Sequence, residues 1–245
     1  MGVAANQFAA PKNHLLEALS ARDLMRLESK LEPVSYELSD ILYEPNKRME
    51  YAYFPTTAIV SLLYIMENGS TSAVSMIGND GIVGIAHVME VETVPNEAIV
   101  QCAGELLRIK YWDLQRELKR GGVLSTLLLR FTMALLEQTS QTAVCNRFHS
   151  TEMQLCRWLL HTHDRLSSDS LEITHELISK ILGISREGIT HAIKKLKERG
   201  LIENARGTIT IVDRWRMEMT VCECYKRVNA EYNRLLGRGI SRTFR

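Results

Sequence analysis

The residues whose types and spacing promise chemistry lie together in "ITHELISKILGISREGITHAIKKLKERGLIENARGTITIV", residues 173–212. On a helix from Arg186 to Arg199, the side chains of Arg186, Glu187, Thr190, His191 and Lys194 share one face, and Ile189, Ala192, Ile193 and Leu196 share the other. An arginine can donate two bonds to guanine O6 and N7, a glutamate can accept from cytosine N4, and lysines can meet phosphates. Such a face suits reading the edge of a DNA duplex.

The other reactive side chains are sparse. Cys222 and Cys224 resemble half a metal site, but no second close pair accompanies them and His149, His161 and His163 are distant along the chain. They read as small buried hydrophobes, and no metal ligands are assigned. The five cysteines, Cys102, Cys145, Cys156, Cys222 and Cys224, are odd in number and scattered, which suits a reducing compartment better than a disulfide framework. His87 stands almost alone in the first half of the chain, so it reads as a satisfied core histidine and not as a haem or metal ligand. An enzyme built on a metal-binding roll would need several histidines with a carboxylate, and residues 33–109 hold only His87; no catalytic residues are assigned.

The elements that would position the reading face are legible nearby. Thr174 is placed to cap a helix with Leu177, Ile178 and Ile181 on its apolar side, Gly183 and Ile184 make a tight corner, Ser185 caps the second helix, and Gly200 ends it. "GLI" (200–202) and "TITIV" (208–212), joined by "ENARG", predict a two-stranded wing. The stretch therefore predicts a winged helix-turn-helix.

Charge is segregated in the same sense. Residues 150–245 hold 17 Lys and Arg against 12 Asp and Glu, about +5, while residues 1–149 hold 13 against 17, about −4, although the whole chain is only +1. With no apolar run long enough for a membrane span, and a start that lacks the layout of a secretory signal, the expected location is cytoplasmic. Asn6 stands where a myristoylation pattern would want Ser or Thr.

Along the rest of the chain the texture changes twice. Residues 13–31 predict two short helices with Ser20 capping the second. From Pro33 to Ile109, eight short β-rich segments ("PVSYEL", "DILYE", "YAYF", "AIVSLLYIM", "TSAVSMI", "DGIVGI", "EAIVQC", "ELLRI") are separated by turn-forming pieces and predict an antiparallel roll. Within "IGNDGIVGIAHV" (77–88) the glycines read as strand corners in preference to a phosphate nest.

"YWDLQREL" (111–118) predicts a helix with Asp113 at its start, and residues 123–146 a long one. Its stripe Leu124, Leu128, Phe131, Leu135, Gln138, Thr142 and Cys145 is widened by Leu127, Met133, Leu136 and Val144, so the helix needs two partners: its own roll and the same helix of a second copy, with Gln138 and Thr142 fixing the register of that pairing. Thr151 is expected to cap a helix over 151–166 that buries Met153, Leu155, Cys156, Leu159 and Leu160. A single helix over 213–236 is expected to bury Trp215, Met219, Cys222, Tyr225, Val228 and Tyr232, and the basic tail "GRGISRTFR" to add unspecific phosphate attraction.

The order roll, long helix, winged helix-turn-helix, and above all "ISREGITHAIKKLKERGLI" with its "SRE" opening and "GLI" exit, resembles the Crp-Fnr family of bacterial transcription regulators. The resemblance spans residues 13–212 and implies an α+β chain: an antiparallel β-roll (a cupin-like jelly roll) sensor domain over 1–122, a dimerisation helix and hinge over 123–149, and a DNA-binding domain over 150–245. It further implies a homodimer on double-stranded DNA in contact with RNA polymerase, with Arg186 and Glu187 reading bases, and His191 standing where the cyclic-AMP receptor has a second reading arginine. Ser185, Thr174, Lys194 and Lys195 are placed for phosphates, with Thr190 on the same face.

The roll departs from that pattern. "GIVGIAHV" and "PNEAIV" lack the glutamate and arginine that anchor a cyclic nucleotide in the family, which argues against cyclic AMP. No cysteine precedes Cys102, which argues against the family's N-terminal iron-sulfur cluster; no cofactor is expected and the effector is not legible. The helix after 213 is longer than family members usually carry. The competing reading is a ligand-binding or protein-interaction module that has lost specific DNA binding.

Overall fold

A computed structural model describes residues 13–237. The expectations for Asn6 and for the tail after Gly237 fall outside that range. Asn13 caps α1 (His14–Glu17) and Ser20 caps α2 (Ala21–Glu28), so the two expected leading helices form. The roll follows as β1 (Glu32–Tyr36), β2 (Ile41–Tyr43), β3 (Tyr51–Pro55), β4 (Ile59–Ile65), β5 (Thr71–Ile77), β6 (Glu97–Cys102) and β7 (Gly104–Lys110). They pair antiparallel in two sheets, ordered β1-β7-β3 and β2-β6-β4-β5, with buried Phe54, Val60, Ile82, Val100, Leu106 and Ile109 in the core they share.

The eighth expected strand, "DGIVGI", does not form. A Cβ on Gly81 would lie 2.3 Å from the Phe131 ring, and Gly84 turns at φ +89°, so the chain hugs the long helix and enters a 3₁₀ turn at Ile85–Met89. The glycines of this stretch thus serve close packing.

α3 (Tyr111–Lys119) leads to α4 (Val123–Phe148), whose 26 residues span about 39 Å. Leu124, Leu128, Phe131 and Leu135 fill the roll core as expected, and the polar members of that stripe, expected to face a second copy, are buried against partners in the same chain. Gln138 Oε1 accepts from the Met76 amide at 2.9 Å, and Thr142 Oγ1 accepts from Arg157 at 3.2 Å, both within the chain.

α5 (Thr151–Arg165) is capped by Ser150, one residue before the expected Thr151, because the Ser150 hydroxyl accepts from the Met153 amide. Met153, expected to be buried, is exposed, and from Gln154 to Arg165 every residue is buried, polar ones included. The reason is its location: α5 lies between the roll and the helix-turn-helix unit, and Ile59, Leu63, Met76 and Ile99 of the roll join Leu155, Trp158, Leu159, Ile178 and Ile193 in one core.

The C-terminal unit comprises β8 (Ser170–Glu172), α6 (His175–Leu182), α7 (Arg186–Glu198), β9 (Ile202–Ala205), β10 (Thr208–Ile211), α8 (Arg214–Thr220) and α9 (Glu223–Leu236). The wing has three strands, β8-β10-β9, where two were expected, because residues 170–172 also pair with β10. The single terminal helix is also corrected. It breaks at Val221 and Cys222, whose extended backbone separates α8 from α9; Thr220 and β-branched Val221 are weak helix formers. Trp215 and Met219 are consequently exposed, while Tyr225, Val228 and Tyr232 are buried. α9 packs along α4, with Tyr232 meeting Phe131 edge-on at 6.3 Å. α4 therefore has two partners in its own chain, the roll and α9.

Candidate nucleic-acid interface

α6 and α7 meet at Gly183, whose φ of +66° only glycine adopts freely, and whose Cβ position would lie 3.0 Å from Ser72 of the roll. Thr174 Oγ1 accepts from the Leu177 amide at 3.1 Å and Ser185 Oγ accepts from the Gly188 amide at 3.1 Å, so both predicted caps are made. Each hydroxyl keeps its hydrogen for a further acceptor. Ile189, Ala192, Ile193 and Leu196 are buried, and Arg186, Glu187, Thr190, His191, Lys194 and Lys195 are exposed.

Thr190 differs from its neighbours in having its hydroxyl engaged. It donates to the Arg186 carbonyl at 2.9 Å and lies 3.2 Å from His175 Nδ1, while His175 Nε2 accepts from Asn204 Nδ2 at 3.1 Å. Accepting at Nε2 leaves the hydrogen on Nδ1, so a chain of bonds runs from the wing through α6 to the first turn of α7. His175 and Asn204 set the angle between wing and helix. Sequence reasoning missed them, since they meet only once β9 has folded back. At the other end of α7, Arg199 reaches Glu152 of α5 at 2.5 Å and Thr220 of α8 at 2.9 Å. Arg206 and Gly207 turn the wing with φ of +47° and +83°, leaving Arg206 exposed at its tip.

Buried ion pairs hold this unit in place. Arg214 donates to Asp164 at 2.5 Å and to His163 Nδ1 at 2.6 Å, and Tyr225 donates to Asp164 at 2.9 Å. His163 faces Asp169 through Nε2 at 2.8 Å, so its hydrogen sits on that nitrogen. Arg165 crosses to the roll, meeting Asp80 at 2.6 and 3.1 Å; burial opposes its charge, and the Asp80 carboxylate outweighs that and raises its pKa.

A cavity of about 30 Å³ lies where β4, β5, α4, α5 and α6 converge, with Ser75, Gln138, Arg157 and His161 among apolar side chains such as Val74, Met76 and Ile181. It has room for one or two waters and none for a nucleotide. Both ring nitrogens of His161 lack a partner among the described residues, and burial beside Arg165, Arg157 and Arg214 holds its pKa well below 6.5. His87 is the core histidine expected: its ring nitrogens face the Val91 and Tyr51 carbonyls at 3.3 Å, and burial lowers its pKa.

One expectation about the cysteines fails. Cys222 and Cys224 are not without companions, because the break between α8 and α9 brings them against Cys145 and His149 at the end of α4. Sequence distance concealed the contact.

Residues 154–219 match the family model of the Crp-like helix-turn-helix domain. The chain is 22% identical over 187 residues to the global nitrogen regulator of Nostoc sp., covering 72% of this chain and 83% of that protein. In structure it is similar to FixK2 from Bradyrhizobium japonicum (TM-score 0.67, 15% identity, 78% of this chain and 98% of that one). It is also similar to a transcriptional regulator of the crp/fnr family from Eubacterium rectale (TM-score 0.65, 16% identity, 86% and 97%). At these identities the structural likeness is one of fold.

Proposed function

Because residues 154–219 are a Crp-like helix-turn-helix domain carried on the fold of the Crp/Fnr regulators, we propose that the chain is a homodimeric transcription regulator that reads the major groove of DNA with α7. The observation that carries this reading is the division of α7 into a face buried in the core and an exposed face of Arg186, Glu187, His191 and Lys194, beside a wing tipped by Arg206. In this role Arg186 and Glu187 contact base edges and His191 adds one donor or acceptor. Lys194, Lys195, Arg206 and the free hydroxyl hydrogens of Ser185 and Thr174 meet phosphates. Thr190 acts through the bonds that hold α7 and the wing together.

The second copy joins along the side of α4 that neither the roll nor α9 covers. Leu129, Met133, Leu136, Ser140 and Ala143 are exposed there at steps of four and three residues, the spacing of a parallel two-helix seam. A dimer so built sets two copies of α7 about one turn of duplex apart, on successive major-groove faces. Contact with RNA polymerase follows from the same family role. No effector is assigned. No described helix is long and apolar enough to cross a membrane, and a cytoplasmic location is part of this proposal.

Selection of duplexes from a random pool by the purified chain tests it. Enrichment of an inverted repeat with half-sites about ten base pairs apart is the expected result, and recovery of unenriched sequence would leave a binding module without specificity. In solution the 27.9 kDa chain should sediment as a dimer, and Leu136→Glu should give monomers.

A further inference from the structure

Three thiols and an imidazole converge where α4 ends. Cys145 lies in the last turn of α4, His149 is its C-cap in the hinge before α5, Cys222 is the N-cap of α9, and Cys224 is in the first turn of α9. Their ligand atoms all lie within 4.8 Å of one another, and the three cysteines are buried. Cys145 Sγ and Cys222 Sγ are 3.7 Å apart, and Cys224 Sγ and His149 Nδ1 are 3.5 Å apart.

These separations are those of ligands to one metal ion. Zinc bonds of about 2.3 Å to sulfur and about 2.0 Å to nitrogen at tetrahedral angles place two sulfurs about 3.8 Å apart, and sulfur and nitrogen about 3.5 Å apart. With all four atoms within 4.8 Å of one another, the widest pairs need to close by roughly 1 Å. Iron-sulfur clusters distribute their ligands over several irons and spread them more widely. Soft thiolates with one imidazole, four ligands in all with the three sulfurs buried, select zinc over magnesium or calcium.

The surroundings are those of a ligand set. His149 turns Nδ1 inward and its other nitrogen, Nε2, to Glu223 at 3.4 Å, the carboxylate-histidine arrangement that orients a ligating ring. Gln141 donates to Cys224 Sγ at 3.1 Å, a bond that strengthens when the sulfur is a thiolate.

We propose that Cys145, His149, Cys222 and Cys224 form a closed tetrahedral site for a single zinc ion that fastens α9 to the end of α4 across the hinge. On binding, the thiol protons leave to solvent, the imidazole binds through Nδ1 as the neutral ring, and no redox change occurs. The site ties the sensor side of the hinge to the last helix of the DNA-binding unit. It stands independently of which residues read DNA.

Cobalt(II) titrated into the full chain, purified under reducing conditions with chelator, tests the site. One equivalent should give intense thiolate-to-cobalt absorption with the visible bands of a tetrahedral ion, and zinc should abolish both. Cys145→Ser with Cys222→Ser should lose the signal, while Cys102→Ser and Cys156→Ser should keep it. Zinc should also raise the thermal midpoint of the wild-type chain by about 4 °C or more and slow amide exchange in α9. The wild-type chain decides even if the double variant does not fold: weak octahedral bands, or no thiolate absorption at one equivalent, would overturn the proposal. So would a visible iron-sulfur spectrum in protein isolated without oxygen, or a Cys145–Cys222 disulfide in place of metal when cells are lysed into alkylating agent.

Discussion

Arg186 and Lys194 share the exposed side of one helix, yet their removal should register differently. A guanidinium that donates two bonds to one base loses discrimination at that base pair, so Arg186→Ala should reduce preference there by about 1–3 kcal/mol per half-site. Lys194, at 3.7 Å from Glu198, is an exposed cation, and Lys194→Ala should weaken binding to all sequences alike and flatten the salt dependence. Binding isotherms over operators mutated one position at a time separate the two; an unchanged preference in R186A removes Arg186 as a base reader. His161 carries a different expectation. Its folded pKa lies well below 6.5, so on unfolding below that pH it takes up a proton that the native chain cannot hold. The stability it contributes is full above about 6.5 and falls as pH drops, by about 1.4 kcal/mol per unit. Denaturant unfolding at pH 7.5, 6.5 and 5.5 should show this slope, and His161→Phe should reduce it by one proton. The residues of α7 were legible because helical periodicity and two capping hydroxyls are local signals. His175, Asn204 and the cluster of Cys145, His149, Cys222 and Cys224 were not, since each is assembled by chain reversals that no spacing reports.

Among the elements, the roll strands and the helices from α3 to α7 follow their local patterns closely, and two departures share a cause. "DGIVGI" has the composition of a strand but is pressed onto Phe131, and residues 213–236 have the apolar content of one helix but bend where Cys222 turns toward Cys145. In both cases packing against α4 overrides propensity. Besides its apolar contacts, α5 is tied to the roll by one buried ion pair, Arg165 with Asp80. Asp80→Ala leaves Arg165 as an uncompensated charge, both side chains being almost fully enclosed, and should cost about 3–5 kcal/mol. Chemical denaturation measures it, and Asp80→Ala combined with Arg165→Met should recover part of the loss. Equal losses in the single and double variants would show that the pair itself, and not the stranded cation, sustains the contact.

For the whole molecule, the interplay of α5 and α9 with the roll sets how the chain comes apart. One core contains Ile59, Leu63 and Met76 of the roll together with Trp158, Ile178 and Ile193, and the other contains Val60 and Phe131 together with Val228 and Tyr232. Each core therefore draws on both halves of the sequence. Calorimetry should record one cooperative transition for the protein, and two resolved transitions would contradict the shared cores. A fragment of residues 150–245 alone would carry α5 with its roll-facing side bare and α9 with Tyr232 uncovered. Such a fragment should aggregate or remain partly folded, although it contains every residue assigned to the DNA surface. The buried middle helix thus makes the reading head non-transplantable: chimeras joined at His149 should inherit the sequence preference of α7 only if the donor roll travels with it.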